Sequence, residues 1–121
     1  MPDFDPLIKK ISDYVQTYQA KDESLQEAKI CFFDSIACAF MALEHDQVKK
    51  FIEIDYIKNS QGSVRVIGTD LKTNALDATF LNGALIRWLD FNDTWLAKEW
   101  GHPSDNLSII LALVDYLKNH R

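Results

Sequence analysis

Glycine and proline are scarce in this chain, with four and three copies in 121 residues. An all-β sandwich needs turn residues at each corner, so the shortage argues for helices. Cysteine is nearly absent, with only Cys31 and Cys38. Seven apart on one helix, their Cα atoms would stand about 10 Å from each other, beyond the ~7 Å reach of a disulfide. Both read as buried apolar residues of a reduced protein. Two thiols also cannot ligate an iron–sulfur cluster. Basic charge is in deficit: 13 Lys and Arg against 18 Asp and Glu leave a net charge of -5. No basic stripe is there to neutralise phosphates, which argues against nucleic acid as a partner. No apolar run approaches the length of a membrane span. The amino terminus, MPDFDPLIKK, lacks the basic-then-apolar pattern of a secretory leader. A cytoplasmic protein with no membrane partner is expected. In that setting Asn92-Asp93-Thr94 and Asn106-Leu107-Ser108 are chance matches to the glycosylation pattern.

What is present is ordinary globular material, 47% hydrophobic and 26% charged, which excludes a disordered chain. A domain of this length buries roughly two-thirds of the surface its unfolded chain exposes. No repeat, low-complexity tract or internal boundary occurs, so residues 1–121 read as a single domain. Phe4, Leu7, Ile8, Ile11, Val15 and Tyr18 recur at helical spacing, with Lys9, Lys10 and Asp13 off the stripe. They predict a helix over residues 5–19. Ser24 and Glu27 fit a capping box for a second helix. That helix carries Ile30, Phe32, Phe33, Ile36 and Phe40 around nearly its whole circumference, so it is expected to lie centrally, covered by neighbours.

Residues 45–74 have the least period. FIEIDYI fits a strand or a helix turn equally, and QGSVRVIGTD reads as a short extended piece or ribbon. A third helix is predicted over residues 75–89, with Leu76, Phe80, Gly83, Ala84 and Trp88 on one side. Gly83 and Ala84 would admit another helix closely. After a loop around KEWGHP, a last helix starts near Ser104 or Asp105, just past Pro103. Its expected buried stripe is Leu107, Ile110, Leu111, Val114 and Leu117. An uncovered apolar surface on such a bundle would invite self-association.

The candidate site is RWLDFNDTWLAKEWGHPSDN, residues 87–106. It holds all three tryptophans beside Asp90, Asp93, Thr94, Lys98, Glu99, His102 and Asp105. Apolar bulk mixed with so many ionisable groups is unusual outside a site, although a helix–loop–helix corner with amphipathic aromatics would also account for it. DFNDTW fails as a calcium loop, because Trp95 stands where glycine is required. His102 has no HExxH partner, and no Walker or dinucleotide glycine pattern exists. No metal or cofactor is expected.

The stretch NGALIRWLDFNDTWLAKEWGHPSDNL resembles the signature of the MmgE/PrpD family, most closely in its 2-methylcitrate dehydratase branch. Weaker similarity extends through GSVRVIGT and DSIACAFMAL towards the start of the chain. The resemblance implies an all-α, multi-helix bundle with a short β-ribbon near 61–69. This corresponds to the first part of a larger helical domain that pairs with a separate lid. It implies a hydro-lyase acting on a small tricarboxylate in propionate breakdown, with active-site residues Asp90, Thr94 and His102. Variants within the family would be a cis-aconitate decarboxylase or a polycarboxylate epimerase. Three positions depart from the family pattern: Ser108 replaces a usual glycine, Ile67 a usual proline, and Thr73-Asn74 a usual Asp-Pro.

Loss of water from such a substrate needs a base for a proton beside a carboxylate, an acid for the departing hydroxyl, and donors for the developing charge. His102 is assigned the acid/base role. Asp90 orients it or shares its proton, and Thr94 hydrogen-bonds substrate. On a continuous helix Asp90 and Thr94 would share a face. Arg87 and Lys98 are candidate carboxylate binders, each equally read as paired or solvated surface charge. Asn92 and Asp93 suit capping a helix end or satisfying loop amides, and Asp105 a helix N-cap. The tryptophans are expected to pack the corner and exclude water. The competing reading is a non-catalytic helical remnant or assembly module. Either way the expected partner is a second copy, as a homodimer or larger, or a separately encoded remainder of the enzyme.

Overall fold

A computed structural model describes residues 5–120; Phe4, assigned above to the first stripe, lies outside them. The order is α1 (Pro6–Thr17), α2 (Asp22–Ala42), α3 (Asp46–Ile52), α4 (Asp55–Asn59), β1 (Val64–Arg65), β2 (Lys72–Thr73), α5 (Ala75–Arg87), a 3-10 turn (Pro103–Asn106) and α6 (Leu107–Asn119). The fold is helical with one small antiparallel ribbon, pairing Val64 with Thr73 and Arg65 with Lys72. Its first strand lies where the ribbon was expected, and its second lies beyond residue 69. The undecided FIEIDYI segment belongs to α3 and α4. No described helix is long and apolar enough to cross a membrane.

Local chemistry sets the helix ends. Asp5 accepts from the Leu7 amide at 2.7 Å and Pro6 opens α1, the arrangement an N-terminus favours. Asn74 caps α5 by accepting from the Asp77 amide at 2.9 Å. The expected capping box at Ser24 does not form. α2 begins at Asp22, with Lys21 in the cap position and no side-chain cap, so Ser24 lies inside the helix. Asp22 and Glu23 in the first turn complement the helix dipole instead.

The core forms around α5 rather than α2. Leu81, Leu85 and Ile86 are buried against Ala39 and Ala42 of α2, Val48 of α3, Ile57 of α4 and Val66. Losing a leucine from such a site costs about 2–5 kcal/mol. α2 presents only Ser35, Cys38, Ala39 and Ala42 to this core, while Ile30, Phe33, Phe40 and Met41 are exposed. Its small side chains let α5 come close; its large ones face away. α6 also differs from expectation. Its buried residues are Ser108, Ala112 and Asp115, Leu107 and Leu111 are half-buried, and Ile110, Val114 and Leu117 are exposed. The reason is again close approach: a Cβ on Gly83 would stand 3.3 Å from Ser108 Oγ. The close packing expected at Gly83 is therefore present.

Three polar ties hold the ribbon in place. Asn82, 2% exposed, accepts from the Ile67 amide at 2.8 Å and donates to the Arg65 carbonyl. A proline at 67 could not donate that bond, so this departure from the family pattern has its own partner. Asn74 likewise donates to Asp77 at 2.7 Å and Ser60 at 2.9 Å. Asp115 of α6 takes the Arg65 guanidinium at 2.7 Å and the Arg65 amide at 2.8 Å. Hydrogen bonding from Arg65 holds the Asp115 carboxyl below its ordinary range.

A depressed carboxyl stabilises the fold above the ordinary aspartate pKa of about 3.9, and the gain disappears as pH falls through the folded value. Asp115→Ala is therefore expected to lower the unfolding free energy by roughly 1–3 kcal/mol at pH 7, with the gap to wild type narrowing below about pH 4. Urea titrations at both pH values check this; a gap that is constant with pH would refute the tie.

Candidate active site

The corner between α5 and α6 carries the residues singled out in the sequence. α5 stops at Arg87, and the chain turns through Asp90, whose φ of 55° lies in the left-handed region. Aspartate tolerates that conformation better than most residues, because its short side chain bonds locally. Here it meets Arg87 Nη2 at 2.6 Å. The expectation that Asp90 and Thr94 share a helical face therefore fails. Thr94 lies in the loop beyond the break.

The loop then closes on itself. Trp95 and Gly101 exchange backbone hydrogen bonds of 2.8 and 3.2 Å, so residues 95–101 form a small tied excursion. Lys98 sits at its tip, exposed and without an ion-pair partner among the described residues. The tryptophans do not seal the corner: Trp88, Trp95 and Trp100 are 40%, 66% and 71% exposed. Among the described residues no further element lies over them to exclude water.

Three small clusters result. In the first, Arg87 holds Asp90 and also reaches Asp105 Oδ1 at 3.4 Å. Its Nη1 is buried without a partner. Asp105 lies inside the 3-10 turn, so its expected N-cap role is replaced by this ion pair. In the second, His102 Nδ1 lies 2.7 Å from the Asp93 carbonyl. The imidazole edge also meets Trp100, with ring centroids 5.7 Å apart. With Nδ1 bonded to a carbonyl, that nitrogen carries the proton and Nε2 is left as the acceptor. The Asp93 carboxylate accepts from the Ser104 amide at 3.2 Å, the loop-amide role expected for it.

The third cluster is a cleft of about 760 Å³ between the start of α2, the 93–95 loop and the start of α6. Thr94 lines it with Asp93, Ser104, Glu23, Glu27 and Cys31. Neither Asp90 nor His102 lines this cleft. Three of its lining groups are carboxylates and none is a cation. Asp93 Oδ1 and Ser104 Oγ are buried there without partners, and so are both amide atoms of the adjoining Asn92. Burial, and next the Asp93 carboxylate, push the Cys31 thiol up, which makes it a poor nucleophile at neutral pH. Cys31 is half-buried, not fully buried as expected, and Cys38 is buried; both are free thiols. Sequence reasoning missed Glu23, Glu27 and Cys31 as companions of Thr94. Their spacing of four along α2 was the available signal. No group of three or more His, Cys, Asp or Glu able to hold a metal occurs among the described residues.

Comparison with known proteins gives a consistent result. Residues 9–121 match the MmgE/PrpD N-terminal domain. The chain is 45% identical to a 2-methylcitrate dehydratase of Escherichia coli K12 over 98% of its own length and 25% of the relative's. Against the 2-methylcitrate dehydratase of Cupriavidus necator the identity is 42%, with the same coverage. Against the mitochondrial 2-methylcitrate dehydratase of Yarrowia lipolytica it is 38%, covering 95% of this chain and 22% of the relative. The chain thus spans about a quarter of the length of these relatives.

The left-handed break at Asp90 can be tested apart from any chemistry. Asp90→Gly is expected to leave stability within roughly 0.5 kcal/mol of wild type, since glycine suits the backbone and an exposed ion pair contributes little. Asp90→Ile should destabilise by at least about 1 kcal/mol. Equal urea midpoints for the two variants would show that residue 90 is not held left-handed.

Proposed function

Because the chain belongs to the MmgE/PrpD family across residues 9–121, we propose that it supplies the amino-terminal part of a hydro-lyase that converts 2-methylcitrate to 2-methylaconitate and water. The observation that carries this reading is the 45% identity to the Escherichia coli 2-methylcitrate dehydratase over 98% of the chain. In this reading His102 exchanges the proton through Nε2. Asp90 is the carboxylate that orients the site from the helix break. Thr94 donates to substrate from the loop. Arg87 offers its unpartnered Nη1 to a substrate carboxylate, and Lys98 brings a second cation once its excursion is covered.

A tricarboxylate needs several cationic partners in a water-poor site. The corner offers Arg87 and Lys98, and its aromatic residues are exposed. The remaining cations and the cover then come from polypeptide beyond these residues, and this quarter alone does not turn over. A second reading, a non-catalytic assembly module, draws support from the exposed apolar faces of α1, α2 and α6.

One chimera separates them. Residues 1–121 replace the matching quarter of the Escherichia coli relative, and 2-methylcitrate turnover is measured for the chimera and for the isolated chain. The hydro-lyase reading expects an active chimera, an inactive isolated chain, and a kcat reduced about 100-fold or more by His102→Ala in the chimera. A well-folded but inactive chimera favours the assembly module. A chimera that keeps most of its turnover after His102→Ala removes the acid/base assignment.

A further inference from the structure

Asp93 holds the far side of its loop twice, once with its backbone and once with its side chain. Its carbonyl lies 2.7 Å from His102 Nδ1. Its carboxylate accepts from the Ser104 amide at 3.2 Å. Both acceptors belong to one residue, and the two donors stand on either side of Pro103. The Trp95–Gly101 backbone pair closes the excursion just inside them. His102 occupies the cap position of the 3-10 turn and makes no side-chain capping bond. The Asp93 carboxylate supplies an acceptor for that turn in its place.

This double hold bears on which imidazole nitrogen carries the proton. An unconstrained neutral imidazole favours the proton on Nε2, and in that form Nε2 accepts nothing. The bond from Nδ1 to the Asp93 carbonyl reverses the preference. That carbonyl shares one planar peptide unit with the Thr94 amide, so the ring is referenced to the same rigid group from which Thr94 begins. The Trp100 ring meets the imidazole edge at 84°, but Trp100 is itself 71% exposed and is a weak support. One bond to a loop carbonyl is lost by a small drift of residues 102–104. The carboxylate–amide bond is charge-assisted, and His102 cannot leave the carbonyl by such a drift without Ser104 leaving the carboxylate.

We propose that Asp93 is the positioning residue of His102: its carboxylate, anchored on the Ser104 amide, keeps the 102–104 segment where the Asp93 carbonyl takes the Nδ1 proton and Nε2 stays free to accept. Asp93 touches no reacting atom in this role and acts through the imidazole alone. The part that His102 plays in turnover rests on the hydro-lyase reading, whereas the position of the proton does not. A carboxylate that only satisfied a loop amide would leave the tautomer unchanged when removed.

Nitrogen-15 NMR of the imidazoles in the full chain tests it, at about pH 8.5, where an ordinary histidine is neutral. The chain has three histidines, and His102→Gln identifies the signals of His102. The wild type is expected to show the proton on Nδ1. Asp93→Ala should lower the ratio of the Nδ1–H to the Nε2–H form roughly tenfold, and Asp93→Asn, whose amide oxygen still accepts from Ser104, should restore it. Asp93→Leu keeps the side chain's bulk without an oxygen and repeats the Ala result with the packing preserved. Circular dichroism establishes that each variant is folded. A wild type with the proton on Nε2 overturns the proposal, as do Ala and Leu variants that keep it on Nδ1, or an Asn variant that behaves like them. In the active chimera, Asp93→Ala should reduce kcat roughly tenfold or more with KM little changed. An unchanged kcat there overturns the positioning role in the reaction. An inactive wild-type chimera removes the hydro-lyase reading instead, and the tautomer result alone then decides what Asp93 does to His102.

Discussion

The close contact between α5 and α6 fixes the rest of the structure. It depends on Gly83, whose missing side chain leaves room for Ser108. Helices that approach this closely bury small residues and turn their large ones outward, which is why Ala112 lies inside and Val114 outside. The same contact sets the distance the chain must cover between Arg87 and Pro103. The corner that carries the candidate residues is therefore a product of helix packing. The serine at 108 fits because its partner position is the residue that lacks a Cβ.

Polar ties keep the corner's supports in register. Asn82 holds the ribbon to α5 through the Ile67 amide and the Arg65 carbonyl, and Asp115 holds it to α6. A buried amide that satisfies two backbone groups resists sliding more than apolar contact does, because any shift leaves those groups unpaired. The departures at Ile67 and Asn74 enter this network as donors. A proline at either position could not make these bonds.

Function builds on that frame unevenly. Arg87, Asp90 and Asp105 form one charged cluster, His102 is oriented by the Asp93 carbonyl, and Thr94 looks into an acidic cleft. Asp90, Asp105 and His102 each have a fixed partner, yet together with Thr94 these groups do not enclose a tricarboxylate. The large exposed aromatic and aliphatic surfaces of α1, α2 and α6 belong with the same fact. This chain matches about a quarter of its relatives, and a helical domain of that size presents interfaces as well as a core.

The sequence by itself determined the helices α1, α2, α5 and α6, the first strand of the ribbon and the position of the charged corner, and it left α3 and α4 open between strand and helix. The features it determined follow from local causes: apolar period, β-branched residues between glycines, and clustered tryptophans. It also determined family membership, through the long run from Asn82 to Leu107. Only the tertiary structure decided which faces are covered. A helix such as α2, apolar on every side, gives no directional signal, and the choice of its alanine and serine face over its phenylalanines came from how closely α5 could approach. The tertiary structure likewise decided that Asp90 and Thr94 are parted by a left-handed break. No periodicity in DFNDTW distinguishes a continuing helix from one that ends at Arg87, where the chain turns to meet α6.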